Sequence, residues 1–292
     1  MDAEWTVGVH PWPGYETLSL AEHFGWLPPG VVLHHGHSAS DSMDGLSRGT
    51  LAAAALTLNE VVTLQCKGVP VSVVLIFNDS VGADQVVLRE GVALDTRPRP
   101  LRVAVERSAV GMVVFKQWRH HLGWPSEAFE LIDLAPSDQK DAWLAGTIDA
   151  AISYPPYATQ LIRLGGDTVY DSSRFPGLIL DVLAVRTDRT GWREGPQIQQ
   201  LVAAHFKGLA HIRHSHEDAM RRIATWRQLS YRDVVSSYAG IRQPDAASNR
   251  HMLTPGGAVD TALATLLPLM NEAALIDSAC RPSGLHTTQY LP

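Results

Sequence analysis

The sequence predicts an α/β protein of two lobes, each a mixed or parallel sheet flanked by helices. Three observations predict it. The first is an internal duplication: Ser40, Asp41, Asp44, Gly49, Thr50, Ala53 and Ala54 recur ninety-seven residues later as Ser137, Asp138, Asp141, Gly146, Thr147, Ala150 and Ala151, without a gap. That spacing is too long for a solenoid repeat and points to two similar units in one chain. The second is an alternation of short apolar runs with helix-spaced segments, the pattern of βαβ units. The third is the Pro/Arg-rich break at Asp95–Pro100, after which the opening pattern restarts.

Trp5 to His10 alternates as a strand does and runs into the stiff turn Pro11-Trp12-Pro13-Gly14-Tyr15-Glu16. A helix carrying Leu18, Leu20, Ala21 and Phe24 follows, then a strand over Val31–His34. In the first repeat copy, Ser40 reads as a helix N-cap with acids in the first turn, and Gly49 as a left-handed residue after the helix. Leu51–Leu56 reads as a buried strand with Thr57 and Asn59 at its end. Val69–Phe77 is a central strand, Asn78–Asp84 a polar turn, and Gln85–Arg89 another strand. The second unit matches: strand Leu101–Val105, a helix opened by Ser108-Ala109-Val110-Gly111, strand Phe129–Leu134, the helix capped by Ser137, and strand Ile148–Ile152 ending in Ser153 and Tyr154. Short elements at Tyr157–Leu164, Val169–Asp171 and Leu178–Arg186 follow. Beyond Pro196 the pattern is helical throughout, and the stretch from Arg281 reads as a surface segment.

This layout inserts the second unit into the first. Lobe 1 is 1–87 plus 182–292, and lobe 2 is 88–181. The chain crosses between lobes near Asp84–Leu88 and near Leu180–Ala184, and two crossover strands make a hinge over a cleft that can close on a ligand.

Composition excludes other classes. The net charge of −6 gives no basic field for nucleic acid. No apolar run reaches the roughly 18 residues of a membrane span. The chain opens MDAEWTVGV, without the basic and apolar regions of an export signal, so either a signal has been removed or the protein is cytosolic. Cys66 and Cys280 are too few for a disulfide framework, and a single bridge between them stays open. Histidines cluster at 34, 35 and 37, at 120 and 121, and at 211, 214 and 216, but no acid or Cys completes a ligand set, so they read as solvated and no metal or cofactor is expected. No GxSxG, GxGxxG or P-loop is present.

Ligands of open α/β sheets bind outside the carboxyl ends of strands. Trp12 and Tyr15 are aromatic walls on the rigid turn, and Glu16 beside them is either a ligand contact or a favourable first-turn acid. Ser40 and Asp41 are helix-start residues at the cleft edge. Thr57, Asn59 and Tyr154 follow buried strands. Ser108, Val110 and Gly111 offer backbone N–H groups at a helix start. Asp84 lies at one crossover, and Asp181 lies inside the apolar run Leu-Ile-Leu-Asp-Val-Leu, where an unpaired acid costs several kcal/mol. Its partner is either Arg107 or Arg174, or a cationic group on the ligand.

The set Val7-Gly8-Val9-His10-Pro11-Trp12-Pro13-Gly14-Tyr15-Glu16, Gly49–Thr57, Gly82-Ala83-Asp84, Gly146–Tyr154 and Phe175–Leu183 resembles the nitrate, taurine and aliphatic-sulfonate solute-binding proteins of ABC transporters, whose superfamily includes a thiamine-pyrimidine group. The resemblance covers about residues 5 to 240. It implies the type 2 periplasmic-binding-protein fold, a monomer and a membrane permease as partner. The export signal and the Cys-rich motif of the superfamily's pyrimidine-synthesising enzymes are missing here. Several acids, aromatic walls and few basic residues argue against a bare oxyanion and for a zwitterionic or amine-bearing solute, taurine-like or pyrimidine-like. Helix N-termini would hold its acid end, and a pyrimidine would stack between Trp12 or Tyr15 and Tyr154. The rival readings are a cytosolic enzyme on the same fold, such as a dehydratase or cyclase of menaquinone synthesis, and a cytosolic ligand sensor.

Overall fold

The two copies of the repeat build two separate sheets in the computed structural model, which describes residues 5–94, 99–107, 110–189 and 194–292. The first part runs β1 (Trp5–Val9), α1 (Glu16–His23), β2 (Val31–His35), α2 (Ala39–Arg48), β3 (Ala53–Thr57), α3 (Leu58–Cys66), β4 (Val71–Ser80) and β5 (Gln85–Arg89). The restart gives β6 (Leu101–Val105), α4 (Gly111–Leu122), β7 (Phe129–Asp133), α5 (Pro136–Leu144), β8 (Ala150–Ser153), α6 (Tyr157–Arg163), β9 (Gly166–Asp171) and β10 (Leu180–Arg186). The last part is α7 (Glu194–His214), α8 (His216–Arg227), α9 (Tyr231–Ser237), β11 (Ile241–Arg242), α10 (Ala246–Met252) and α11 (Ala258–Glu272).

One sheet has the order β11-β4-β10-β3-β1-β2 and the other β7-β6-β8-β5-β9. Each repeat unit contributes three parallel strands in the same relative order, with Val7 opposite Ala53 in one sheet and Val103 opposite Ala150 in the other. An antiparallel strand then joins each trio: β10 beside β3, and β5 beside β8. The chain leaves the first sheet through 81–84 and returns through 172–179. These passages are tied together, Ser80 Oγ to Ser172 Oγ at 2.9 Å and Gly82 N–H to Ser172 Oγ at 2.7 Å.

The core follows from the apolar runs. β3, β10 and most of β4 are buried on both faces, as strands covered by helices must be. Leu18, Leu46, Leu56, Leu75, Ile76 and Phe77 are wholly buried, each contributing about 1.5–3 kcal/mol relative to exposure. The second sheet has its own core around Val103, Phe115, Trp118 and Phe129.

Four local expectations change. The α2 cap is Ser38, whose side chain accepts from the Asp41 N–H, and not Ser40; α5 likewise starts at Pro136 and not behind Ser137. Proline at the first helical position needs no N–H partner there, so the helix starts two residues earlier than a Ser137 cap would place it. β4 continues through Asn78, Asp79 and Ser80, where a turn was expected. Asn78 and Ser80 are fully buried yet bonded, to Trp12 and Asp181 and to Ser172, so polar residues extend the strand without an unsatisfied group. The region beyond Pro196 is not all helix, because β11 pairs with β4. The segment from Arg281 packs rather than trailing on the surface: Leu285, Tyr290 and Leu291 are buried, and Val73 N–H donates to the Leu285 carbonyl at 2.7 Å.

Cys66 at the end of α3 and Cys280 are bridged, with Cα atoms 5.6 Å apart and 214 residues between them in sequence. The bridge anchors the tail to α3 and closes a very long loop of the unfolded chain, an effect of about 2–5 kcal/mol. Cys280→Ser should lower the melting temperature by roughly 3–8 °C. Differential scanning calorimetry checks this, and a variant that melts with the wild type would contradict the pairing.

Candidate functional site

The carboxyl ends of β1, β3, β6 and β8 converge with the starts of β5 and β10 on one cavity between the sheets. It is lined from both sheets, by His10, Trp12, Tyr15, Thr57, Glu60 and Asp181 on the six-stranded side and by Asp84, Glu106, Gly111, Ser153 and Tyr154 on the five-stranded side. The space not filled by protein atoms is about 490 Å³, its open mouth included, and nearly all of the lining residues are buried, so the cleft is nearly closed.

The turn after β1 is built against β4. Trp12 Nε1 donates to Asn78 Oδ1 at 2.9 Å, and a Cβ on Gly14 would sit 1.8 Å from that same oxygen, so only glycine fits. Tyr15 OH donates to Asp181 Oδ1 at 2.6 Å and Asn78 Nδ2 to Asp181 Oδ2 at 2.7 Å. Asp181 thus has two neutral donors and no cation. Arg107 instead reaches the Leu131 carbonyl, and Arg174 lies over Tyr170. Trp12 meets Tyr154 edge-on across the cleft, ring centroids 5.4 Å apart.

Glu60 stands at the first turn of α3. Its Oε2 accepts from Thr57 N–H at 2.8 Å in a capping box, and its Oε1 accepts from Val110 N–H of the other half at 3.3 Å. Glu106, directly after β6, accepts from Ser40 Oγ at 2.5 Å. Burial pushes all four cleft carboxyls up: Glu60 to about 8, Asp84 to about 6, Asp181 well above the usual range, and Glu106 upward against its bonds from Ser40. Burial, helped by the charge of Arg227, lowers His10 to about 4, so its ring is neutral. Neither Lys nor Arg lines the cavity among the described residues. Asp84 Oδ2, Ser153 Oγ and His10 Nδ1 are buried without a hydrogen-bond partner.

Of the residues singled out from sequence, Trp12, Tyr15, Thr57, Asp84, Val110, Gly111, Tyr154 and Asp181 line this cavity. Glu16 does not. Its carboxylate faces away, accepting from Trp226 Nε1 at 3.0 Å and pairing with Arg227, so it ties the turn to α8. Asp41 is exposed and accepts from His37 N–H, shaping the loop before α2. Asn59 is buried behind Thr57, accepting from its hydroxyl at 2.7 Å. Ser40 bridges to Glu106 at the rim. Ser108 lies outside the described residues. Ser153, read with Tyr154 as a polar strand end facing a ligand, also lines it, whereas His10, Glu60 and Glu106 line it without having been singled out. Glu106 is His10's counterpart, each being the first residue after its unit's opening strand, and the repeat carries that signal. Glu60 was readable as Thr-x-x-Glu, but only as a helix start. One histidine of each cluster is paired with an acid, His35 with Glu22, His120 with Glu272 and His211 with Asp218. Among the described residues no group of three or more His, Cys, Asp or Glu is placed to hold a metal.

A carboxyl whose pKa is raised by folding holds a proton that the unfolded chain has lost, so its stabilisation is complete below the unfolded value and is lost as pH rises toward the folded one. Buried His10 and His205, lowered to about 4 and about 3, act oppositely but only below their ordinary value of 6.5. Between about pH 6.5 and 8 Glu60, together with Asp181, therefore sets the slope. The melting temperature of the ligand-free protein should fall across that window, and Glu60→Gln should flatten the fall. A variant with the wild-type slope would contradict the assignment.

No family model matches the sequence, and no curated protein matches it. Solved structures do. The alkanesulfonate-binding protein of Xanthomonas axonopodis pv. citri, bound to MOPS, superposes with TM-score 0.76 at 14% identity over 94% of this chain and 95% of its own. The periplasmic aliphatic sulphonate-binding protein of Escherichia coli gives 0.72 at 16% over 100% and 98%. The periplasmic nitrate-binding protein of Synechocystis PCC 6803 gives 0.64 at 14% over 80% and 70%. At these identities the likeness is one of fold, and the fold is the two-lobed periplasmic-binding architecture that the sequence resemblance implies.

Proposed function

We propose that this chain binds a small polar organic solute between its two sheets and presents the closed form to an ABC permease. The observation that carries the reading is the cavity itself, at the facing carboxyl ends of both parallel strand trios and lined from both halves. The lobes read as 1–87 plus 182–292 and 88–181 would move about the paired passages at 81–84 and 172–179, so that all of β5 goes with lobe 2 and all of β10 with lobe 1. A ligand favours closure only by binding the closed form more tightly than the open one. Contacts that exist only when the lobes meet, such as Glu60 to Val110 and Trp12 to Tyr154, are where that difference arises.

The solute is zwitterionic or amine-bearing, because carboxylates and aromatic rings dominate the lining. A pyrimidine stacked between Trp12 and Tyr154 is disfavoured: two ring-to-ring contacts need about 7 Å, and those centroids are 5.4 Å apart. The Cys66–Cys280 bridge supports residence in an oxidising compartment such as the periplasm. The same fold in the sulfonate- and nitrate-binding proteins supports delivery to a transporter.

One observation favours the enzyme reading. Buried carboxyls with raised pKa values in a cleft, such as Asp84 and Glu60, are what a general acid or base requires. A thermal-shift screen of amines, sulfonates, pyrimidines and oxyanions, followed by mass spectrometry of each stabilising compound after long incubation, separates the two. Binding predicts a raised melting temperature with the compound recovered unchanged. Chemical conversion would replace this reading by the catalytic one.

A further inference from the structure

Two carboxylates reach across the cleft to helix starts of the opposite half. Glu60, from α3, presents Oε1 to the Val110 N–H at the start of α4. Glu106, from the end of β6, accepts from the hydroxyl and the backbone N–H of Ser40 in the first turn of α2. The third helix start at the cleft, that of α3, is closed on itself by the bond from Thr57 N–H to Glu60. Helix N-termini carry partial positive charge and free donors, and they are where an anion would settle. Here the protein's own carboxylates face these three, and the remaining start at the cavity, that of α5, presents Pro136, which has no N–H to offer.

The rest of the lining reinforces this. Asp84 and Asp181 bring two further carboxyls, and no Lys or Arg balances them among the described lining residues. Asp84 is 3% exposed, yet its Oδ2 has no partner, and neither does the buried Ser153 Oγ. A buried acceptor left in this state requires a donor. Trp12, Tyr15 and Tyr154 supply ring faces and edges beside it. The site is thus short of positive charge, and an acid group on a ligand would be met by carboxyl groups.

We infer that the solute is a small organic cation, an amine or amidine without an anionic end, whose N–H groups meet Asp84 and Asp181 while Glu60 and Glu106 occupy the positions an anion would take. This rests on the solute-binding reading and narrows its ligand to one charge type. The other charged or titratable groups at the cavity are His10, Tyr15 and Tyr154, all neutral by burial.

Matched pairs that differ by one carboxylate test it: agmatine against arginine and putrescine against ornithine, with taurine, methanesulfonate and nitrate alongside, titrated calorimetrically into the full chain. The expected result is that the decarboxylated partner binds roughly tenfold or more tightly and that the anions do not bind. Asp84→Asn, which keeps the side-chain shape, should weaken the bound cation by a similar factor at an unchanged circular dichroism spectrum. Ser153→Ala serves as a second variant should Asp84→Asn misfold, and it should weaken binding by a smaller factor. An amino acid binding as well as its decarboxylated partner, or a sulfonate or nitrate binding at all, overturns the cation assignment and leaves solute binding standing. Failure of every cation and every anion to bind overturns both.

Discussion

Negative charge buried without a protein counter-cation is the constraint on which this structure turns. Placing Glu60, Asp84, Glu106 and Asp181 around one nearly closed cavity is costly, because each ionised group loses water and feels the others. The fold meets that cost in two ways. Neutral and backbone donors surround the acids, Tyr15 and Asn78 on Asp181, Thr57 and Val110 on Glu60, and Ser40 on Glu106. Burial also keeps a proton on them, which is why their titration is displaced upward. The residual imbalance, an orphaned Asp84 oxygen above all, is what a ligand can correct.

The architecture makes this possible because it is duplicated. Each repeat unit aims the ends of its parallel strands at the other unit, so the first residue after each opening strand, His10 or Glu106, arrives at the same cavity. Exchange of β5 and β10 between the units brings Asp84 and Asp181 there as well, each at the start of an antiparallel strand. Outside the cleft the halves are tied by ion pairs, Arg163 with Asp233 on one side and Lys116, Arg119 and His120 with Glu272 on the other. These pairs are partly exposed, so each is worth about 0–1 kcal/mol and can break when the lobes part. The cavity contacts, buried and mutually dependent, are the better candidates for setting the closed state.

Much of this was legible in the sequence for one reason: the repeat. It located both strand–helix–strand units, the left-handed glycines at 49 and 146, and the strand ends that carry Thr57, Tyr154 and Gly111 to the cleft. What stayed hidden depended on long-range pairing. Glu16 looked like a cleft acid until Arg227, over two hundred residues away, drew it to the other side of the turn. Asn78 looked like a turn residue because its partners, Trp12 and Asp181, are distant in sequence. Glu60 satisfied a local helix-start motif, and nothing local shows that its second oxygen crosses to the other half. The joining of Cys66 to Cys280 and the burial of the tail are likewise set by packing on β4 and α3 rather than by any local pattern.

Carboxyl-selective NMR of the ligand-free protein, following the side-chain carbons of Glu60 and Asp84 through a pH titration, tests the central claim most directly. The account predicts that Glu60 takes up its proton near pH 8 and Asp84 near pH 6, and that a bound organic cation moves both midpoints down, so that Glu60 too is ionised at neutral pH. Midpoints for both near the ordinary carboxylic value of about 4, unmoved by any ligand, would mean that the cleft is wet and its charge already balanced, and would contradict it.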